Sequence, residues 1–272
     1  MGRASKYIHG QNQEEQERLD VQANFLERMI HEQLDMSGVK QLLEVGVGVG
    51  AQTRLMLQKY PDMCIHGIDI STEQIQKAAE NLSKVAAFQG RYSLEQADAA
   101  SFQMPEEIAA DGAFICWVLE HLAEPLRVLQ NCKKVLRPGS PIFVTEVYNQ
   151  SQFLYPDSPA IMAYWNAFNQ MQSDFGGHPY IGAQLGGLLH EAGFTNIHVY
   201  PIYQHHDKRN PANRQQMMVY FKDLLMSAAE QLIEHRYIKQ LDLAVVQQEI
   251  RQFMDHPDAV YFYSGFQAVA KS

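Results

Sequence analysis

Three cysteines in 272 residues, Cys64, Cys116 and Cys132, are too few and too odd in number for a disulfide framework or a cysteine-rich zinc site. Two of them lie in apolar strand-like runs, which points to a reducing, cytoplasmic setting. No run of 18 apolar residues occurs, so no membrane-spanning helix is expected. The opening M-G-R-A-S-K has no apolar signal core, and its Ser5 is one place early for a myristoylation motif. Basic residues are the minority: 22 Lys and Arg against 31 Asp and Glu give a net charge of −9, which argues against a phosphate-tracking nucleic-acid binder. Repeats and low-complexity tracts are also missing. What is present is ordinary globular composition, 46% hydrophobic and 19% charged, at a length that fits one large α/β domain or a domain with an added cap. The expected partner is a small molecule, with the chain a monomer or homodimer.

The most informative stretch is Gln41 to Gly50, Q-L-L-E-V-G-V-G-V-G. Alternating apolar residues run into glycines at every second place, and Ala51 to Tyr60 then has helical character until Pro61. Strand, glycine loop and helix make a cradle in which backbone N–H groups and a helix N-terminus face an anion. Gly46, Gly48 and Ala51 can be read as a G-x-G-x-x-A dinucleotide fingerprint; Gly46, Gly48 and Gly50 with Glu44 can be read as acid-x-G-x-G-x-G. The glycines alone leave both open. Glu44 favours the second, because a carboxylate there repels a pyrophosphate and attracts a cofactor bearing an ammonium and a sulfonium.

This stretch resembles the first motif of class I S-adenosylmethionine (SAM) dependent methyltransferases. The chain beyond it agrees in order and spacing. Met63 to Ile70 is a second buried strand ending at Asp69, where an acid can accept from both ribose hydroxyls. Ser71 with Gln74 caps the next helix. Tyr92 to Ala97 is a third strand followed by Asp98 and Ala99, which in the resembling family meet the adenine. Asp111 to Leu119 is a fourth, delivering W-V-L-E-H-L at 117–122; Pro125 opens a helix that Arg137-Pro138-Gly139 ends, and Pro141 to Tyr148 is a fifth strand. L-E-H-L with R-P-G recurs in this family, and the resemblance is specific over residues 40–147.

The resemblance implies an α/β, Rossmann-like seven-stranded mixed sheet of order 3-2-1-4-5-7-6 with helical cap insertions, and SAM as cofactor (S-adenosylhomocysteine, SAH, as product). It assigns Glu44, Gly46, Gly48, Gly50, Asp69, Ile70, Asp98, Ala99 and Trp117 to the cofactor. Residues 1–36 are expected as N-terminal lid and helix, 37–148 as the cofactor-binding core, 149–180 as an aromatic substrate cap, 181–204 as more core, 205–258 as a helical insertion and 259–272 as the last strand. The cap is dense in rings, so Tyr148, Phe153, Trp165, Phe168, His178 and Tyr180 join Trp117 as candidate substrate contacts. His121, His178 and Tyr7 are the candidate proton acceptors; His121 reads equally as a ring that pins its loop, and Glu120 as a substrate contact or a loop acid. Gly265 is expected to mark a bulge in the final strand. His205-His206-Asp207 has no partner at useful spacing, so no metal site is expected.

The implied activity is methyl transfer to a nitrogen or oxygen of a small, aromatic or heteroaromatic molecule. An NAD-dependent oxidoreductase is the alternative that shares the first turn, but it leaves Glu44 and Asp98 unexplained. A non-catalytic SAM-binding partner subunit would keep the cradle and lose the aromatic pocket.

Overall fold

The structure, a computed structural model, describes residues 22–23, 25–105 and 110–272. The candidate base Tyr7 and the first 21 residues of the expected lid and helix lie outside the described residues. Helix α1 (25–31) precedes β1 (Gln41–Val45), α2 (Ala51–Lys59), β2 (Cys64–Asp69), α3 (Thr72–Ser83), β3 (Tyr92–Gln96), β4 (Gly112–Cys116), α4 (Pro125–Val135) and β5 (Pro141–Val147). There follow β6 (Phe153–Tyr155), α5 (Pro159–Asp174), α6 (Leu185–Glu191), β7 (Thr195–His206), α7 (Pro211–Ser227), α8 (Ala229–Glu234), α9 (Gln240–Asp255) and β8 (Val260–Lys271).

Five strands run parallel in the order β3-β2-β1-β4-β5, and β8 joins antiparallel to β5. β7 pairs with the far edge of β8, so the order expected from sequence holds once the three-residue β6, which pairs with the start of β8, is set aside. The central strands read as unbroken apolar runs because both faces are covered. Leu42, Phe114 and Phe143 point into one core, while their neighbours Leu43, Ala113, Ile115, Ile142 and Val144 point into the other. α4 shows the helical counterpart: Pro125 at the first turn, then Val128, Leu129 and Cys132 buried on one face.

Two expectations about strands need correcting. Gly265 is in regular register with Val147 and Ile202, and a Cβ there would lie 2.6 Å from the Glu146 carbonyl oxygen, so close approach of β5 and not a bulge calls for glycine. The irregularity sits in β7, between Thr195 and His198, where Asn196 has φ 48°. β7 also extends to His206, placing that ring against Phe25 of α1 (centroids 5.8 Å apart).

Buried Gln267 of β8 fixes α1 to the sheet: its Nε2 donates to the Ile30 carbonyl (2.9 Å) and to Thr145 Oγ1 (2.7 Å), while Tyr200 donates to its Oε1 (2.7 Å). With every polar atom paired, the amide anchors α1 without the cost of an unpaired buried group. α1 and α7 meet through Phe25 and Tyr220, whose ring centroids are 6.2 Å apart, and both line the space at the C-terminal edge of the parallel strands.

Candidate functional site

A cavity of about 620 Å³ lies at that edge, within the usual range for small-molecule sites, about 300–1,000 Å³. Gly46, Gly48, Asp69, Ile70, Asp98 and Ala99 line it, together with Trp117, Glu120, His121, Trp165 and Phe168. Sequence reasoning missed a third group, Gln204 of β7, Met217, Tyr220 and Leu224 of α7, and Tyr261 and Tyr263 of β8, along with Leu26 and Met29 of α1. The positions 217, 220 and 224 share a helical face, and 261 and 263 share a strand face, which was the available signal.

The glycines of the loop serve different ends. A Cβ on Gly46 (φ 74°) would lie 2.3 Å from Val118 Cγ2, so the loop touches the segment after β4 only as glycine. Gly48 (φ 51°) has nothing within 4 Å of the Cβ position and opens into the cavity. A Cβ on Gly50 would lie 3.3 Å from Ala78 and Leu82 of α3, and Gly50 is off the cavity wall. Four N–H groups of the loop are not offered to a ligand. Gly46 and Val47 donate to the Ile68 carbonyl (2.8 and 3.0 Å), Gly48 to Asp69 Oδ2 (2.9 Å) and Gly50 to the Val47 carbonyl (2.9 Å). Those four donors are committed internally, so an anion would be left with the first N–H groups of α2.

Glu44 is also behind the wall. It is 2% exposed, accepts from Thr53 Oγ1 at 2.6 Å, and burial pushes its carboxyl up to about 8. It acts as a pin between β1 and α2. Asp69 is on the wall: it accepts from the Gly48 and Ser71 N–H groups, and burial raises its pKa. Asp98 is exposed at the rim, where its Oδ1 accepts from the Ala100 N–H (2.9 Å).

Of the ring-bearing candidates, Trp117, Trp165 and Phe168 reach the cavity; Tyr148, Phe153, His178 and Tyr180 do not. Phe153 and Tyr180 are exposed on the outer surface, and Tyr148 packs edge-on against Phe266. The His178 side chain lies off the wall while its backbone N–H donates to the Glu120 carbonyl (2.7 Å). Trp165 stacks on Phe168 (5.2 Å) and donates from Nε1 to the Asn149 carbonyl (2.8 Å), which holds its plane fixed. Trp117 adopts φ 55°, a strained conformation for a non-glycine residue, and its buried Nε1 has no hydrogen-bond partner. The L-E-H-L segment is pinned from beneath: Glu146 Oε1 accepts from the Val118 and Leu119 N–H groups (3.0 and 2.8 Å). Among the described residues, no three His, Cys, Asp or Glu side chains are grouped to hold a metal ion, and no helix is long and apolar enough to cross a membrane.

Residues 43–144 match the family described as "Methyltransferase domain", a span that runs from the glycine loop through the L-E-H-L segment to β5. The chain carries a class I SAM-dependent methyltransferase domain. An O-methyltransferase, cnsE, of Penicillium expansum is 28% identical over 200 residues, covering 72% of this chain and 68% of that protein. Among solved structures, the [4+2]-cyclase SpnF shares the fold at a TM-score of 0.53 and 22% identity, covering 93% and 80% of the two chains. A Haemonchus contortus phosphoethanolamine N-methyltransferase 2, solved with phosphomonomethylethanolamine and S-adenosylhomocysteine, aligns at a TM-score of 0.53 and 16% identity; 94% of this chain matches about half, 52%, of that one. SAM is the cofactor of the methyltransferase, and the residues present fit it. The Cβ-free space at Gly48 and the buried unpaired Trp117 Nε1 lie on the wall, and no Lys or Arg among the described residues lines the cavity to repel a sulfonium.

Proposed function

We propose that the methyltransferase acts on an oxygen or nitrogen of a small, aromatic or heteroaromatic molecule. The observation that carries this reading is a cavity lined both by the glycine loop and by Trp117, Trp165, Phe168, Tyr220, Tyr261 and Tyr263. Such walls bury flat rings and exclude water. The O-methyltransferase relative supports oxygen as the acceptor.

Asp69 would hold the ribose hydroxyls, Asp98 the adenine amino group, and Gly46 and Gly48 would lie against the methionine part. SAM bound there supplies an activated methyl group on a positively charged sulfur. The protein holds the acceptor close and aligned in a dry site, an effect that reaches roughly 7–11 kcal/mol. A hydroxyl acceptor must also lose its proton, and His121 would take it; its position on the wall, 21% exposed, supports that role. An amine with a free lone pair needs no base.

The test is calorimetric titration with SAM and SAH, followed by SAH formation from a panel of phenols, amines and azoles. Asp69→Asn keeps the side-chain shape and is expected to weaken SAH binding at least tenfold. Failure of the wild type to bind either compound would remove the reading.

A further inference from the structure

Of the four carboxylates that line the cavity among the described residues, Glu120 is the buried one. Asp69 accepts from the Gly48 N–H, Asp98 is exposed, and Glu124 is exposed and pairs with Arg127 (2.7 Å). Glu120 is 8% exposed, and the fold holds it firmly. Its Oε2 accepts from Gln172 Nε2 (2.8 Å) and its backbone carbonyl from the His178 N–H (2.7 Å). A Cβ on Gly177 would lie 2.7 Å from that carbonyl, so the turn after α5 closes tightly on the residue. Oε1 stands 3.7 Å from His121 Nε2, beyond hydrogen-bond length but close enough for one donor atom to sit within reach of both.

Apart from His121, which is charged only when protonated, Glu120 has no basic side chain beside it on the cavity wall among the described residues. No Lys or Arg among the described residues lines the cavity, and the nearby Glu146 carboxyl is pushed up first by burial and then by the charge of Glu120. Tyr263 spends its hydroxyl on Asn149 Oδ1 (3.1 Å), and Gln172 is the amide bound to Oε2. A buried carboxylate in an apolar cavity that lacks a cation attracts a donor and repels a second negative charge.

We propose that Glu120 sets acceptor specificity: the site takes a neutral or cationic small molecule that presents a phenolic hydroxyl or amine N–H to Glu120 Oε1, and refuses molecules that carry a carboxylate or phosphate. This deepens the methyl-transfer reading and rests on it. Glu120 then selects, while His121 beside it receives the acceptor's proton where there is one to lose.

Calorimetric titration of the whole protein, with and without SAH, tests this using three probes of one shape: 4-ethylphenol (neutral), tyramine (cationic) and 4-hydroxyphenylacetate (anionic). The neutral and cationic probes are expected to bind the wild type at least tenfold more tightly than the anion. Glu120→Gln is expected to shrink the preference for tyramine over the anion at least tenfold, with SAH affinity held within twofold. Equal or tighter binding of the anion by the wild type overturns the proposal, as does unchanged selectivity in a folded E120Q, or SAH binding with none of the three probes bound. The wild-type panel decides without any variant if E120Q does not fold. Loss of SAH binding by the wild type would instead strike the cofactor reading, and the titrations without SAH would still measure charge selectivity.

Discussion

Thr53 Oγ1 on α2 donates to Glu44 Oε2 on β1 at 2.6 Å, in a spot where Thr53 has no exposure and Glu44 2%. The pair ties the strand before the glycine loop to the helix after it, so it holds the loop's two ends in register. Burial raises Glu44 from the ordinary 4.5 to about 8, and burial followed by Glu120's charge raises Glu146 likewise. A carboxyl whose folded pKa is raised binds more protons folded than unfolded between those two values. Stability from these groups is therefore fully present below about 4.5 and is lost as pH rises toward 8. Glu44→Gln can still accept from Thr53 and has no proton to lose. Its unfolding midpoint in urea, measured at pH 6 and pH 8, is expected to fall less with pH than that of the wild type; an identical slope would show that Glu44 does not titrate as stated.

Gly46 and Gly48 are expected to fail differently when changed to alanine. At Gly46 the new methyl meets Val118 Cγ2 at 2.3 Å, so G46A loses stability, by about 1–3 kcal/mol. Val118→Ala in the same chain is expected to recover part of that loss. At Gly48 nothing is within 4 Å, and G48A keeps most of its stability apart from about 1–2 kcal/mol of left-handed backbone strain. Its methyl enters the cavity instead, and SAH affinity should drop at least tenfold. Thermal unfolding and calorimetry on the two variants check this; G48A binding SAH like the wild type would move the cofactor away from the loop.

The sheet was legible because a strand buried on both faces leaves an apolar run that few other structures produce, as in Gln41–Val45 and Gly112–Cys116. β6 was not, since three residues carry no period. Aromatic density singled out residues 149–180 but gave no direction: Trp165 and Phe168 face the cavity from α5, while Phe153 and Tyr180 are exposed on the outer surface. Met217, Tyr220 and Leu224 of the helical insertion carried no ligand signal, because apolar helical spacing is the same whether the face covers a core or a ligand. Glu44 was read as a cofactor contact because sequence gives its place on the strand and not the depth of its side chain.

The turn that closes the cap predicts a contrast between two other glycines. In Gly177→Ala the Cβ would lie 2.7 Å from the Glu120 carbonyl oxygen and 2.9 Å from Gln172 Cγ, both part of the packed wall. Overpacking of this kind costs about 1–3 kcal/mol. Gly187, exposed in α6, has nothing within 4 Å, and Gly187→Ala is expected to gain up to about 1 kcal/mol from helix propensity. Opposite shifts in thermal midpoint are the expected result. Equal shifts would mean that the turn yields to the methyl and does not set the position of Glu120.

The two histidines separate by their relation to the cavity. The His121 ring is on the wall, whereas the His178 ring is off it, with Nε2 buried and unpaired and its backbone N–H bound to the Glu120 carbonyl. With a hydroxyl acceptor, His121→Asn is expected to lower kcat by about 10²–10⁴, the usual worth of a positioned base. SAH affinity should be unchanged, and the rise of kcat with pH should move up, since hydroxide must then replace the base. With an amine acceptor, which arrives with a free lone pair above its own pKa, the same variant should lose far less. His178→Asn keeps the backbone contact to Glu120 and leaves the wall intact, so kcat on both acceptors should stay within a few-fold of wild type. A folded H178N that loses the hydroxyl reaction as severely as H121N would make His178 the base, and would require the turn at 176–180 to move its ring into the cavity when the acceptor binds.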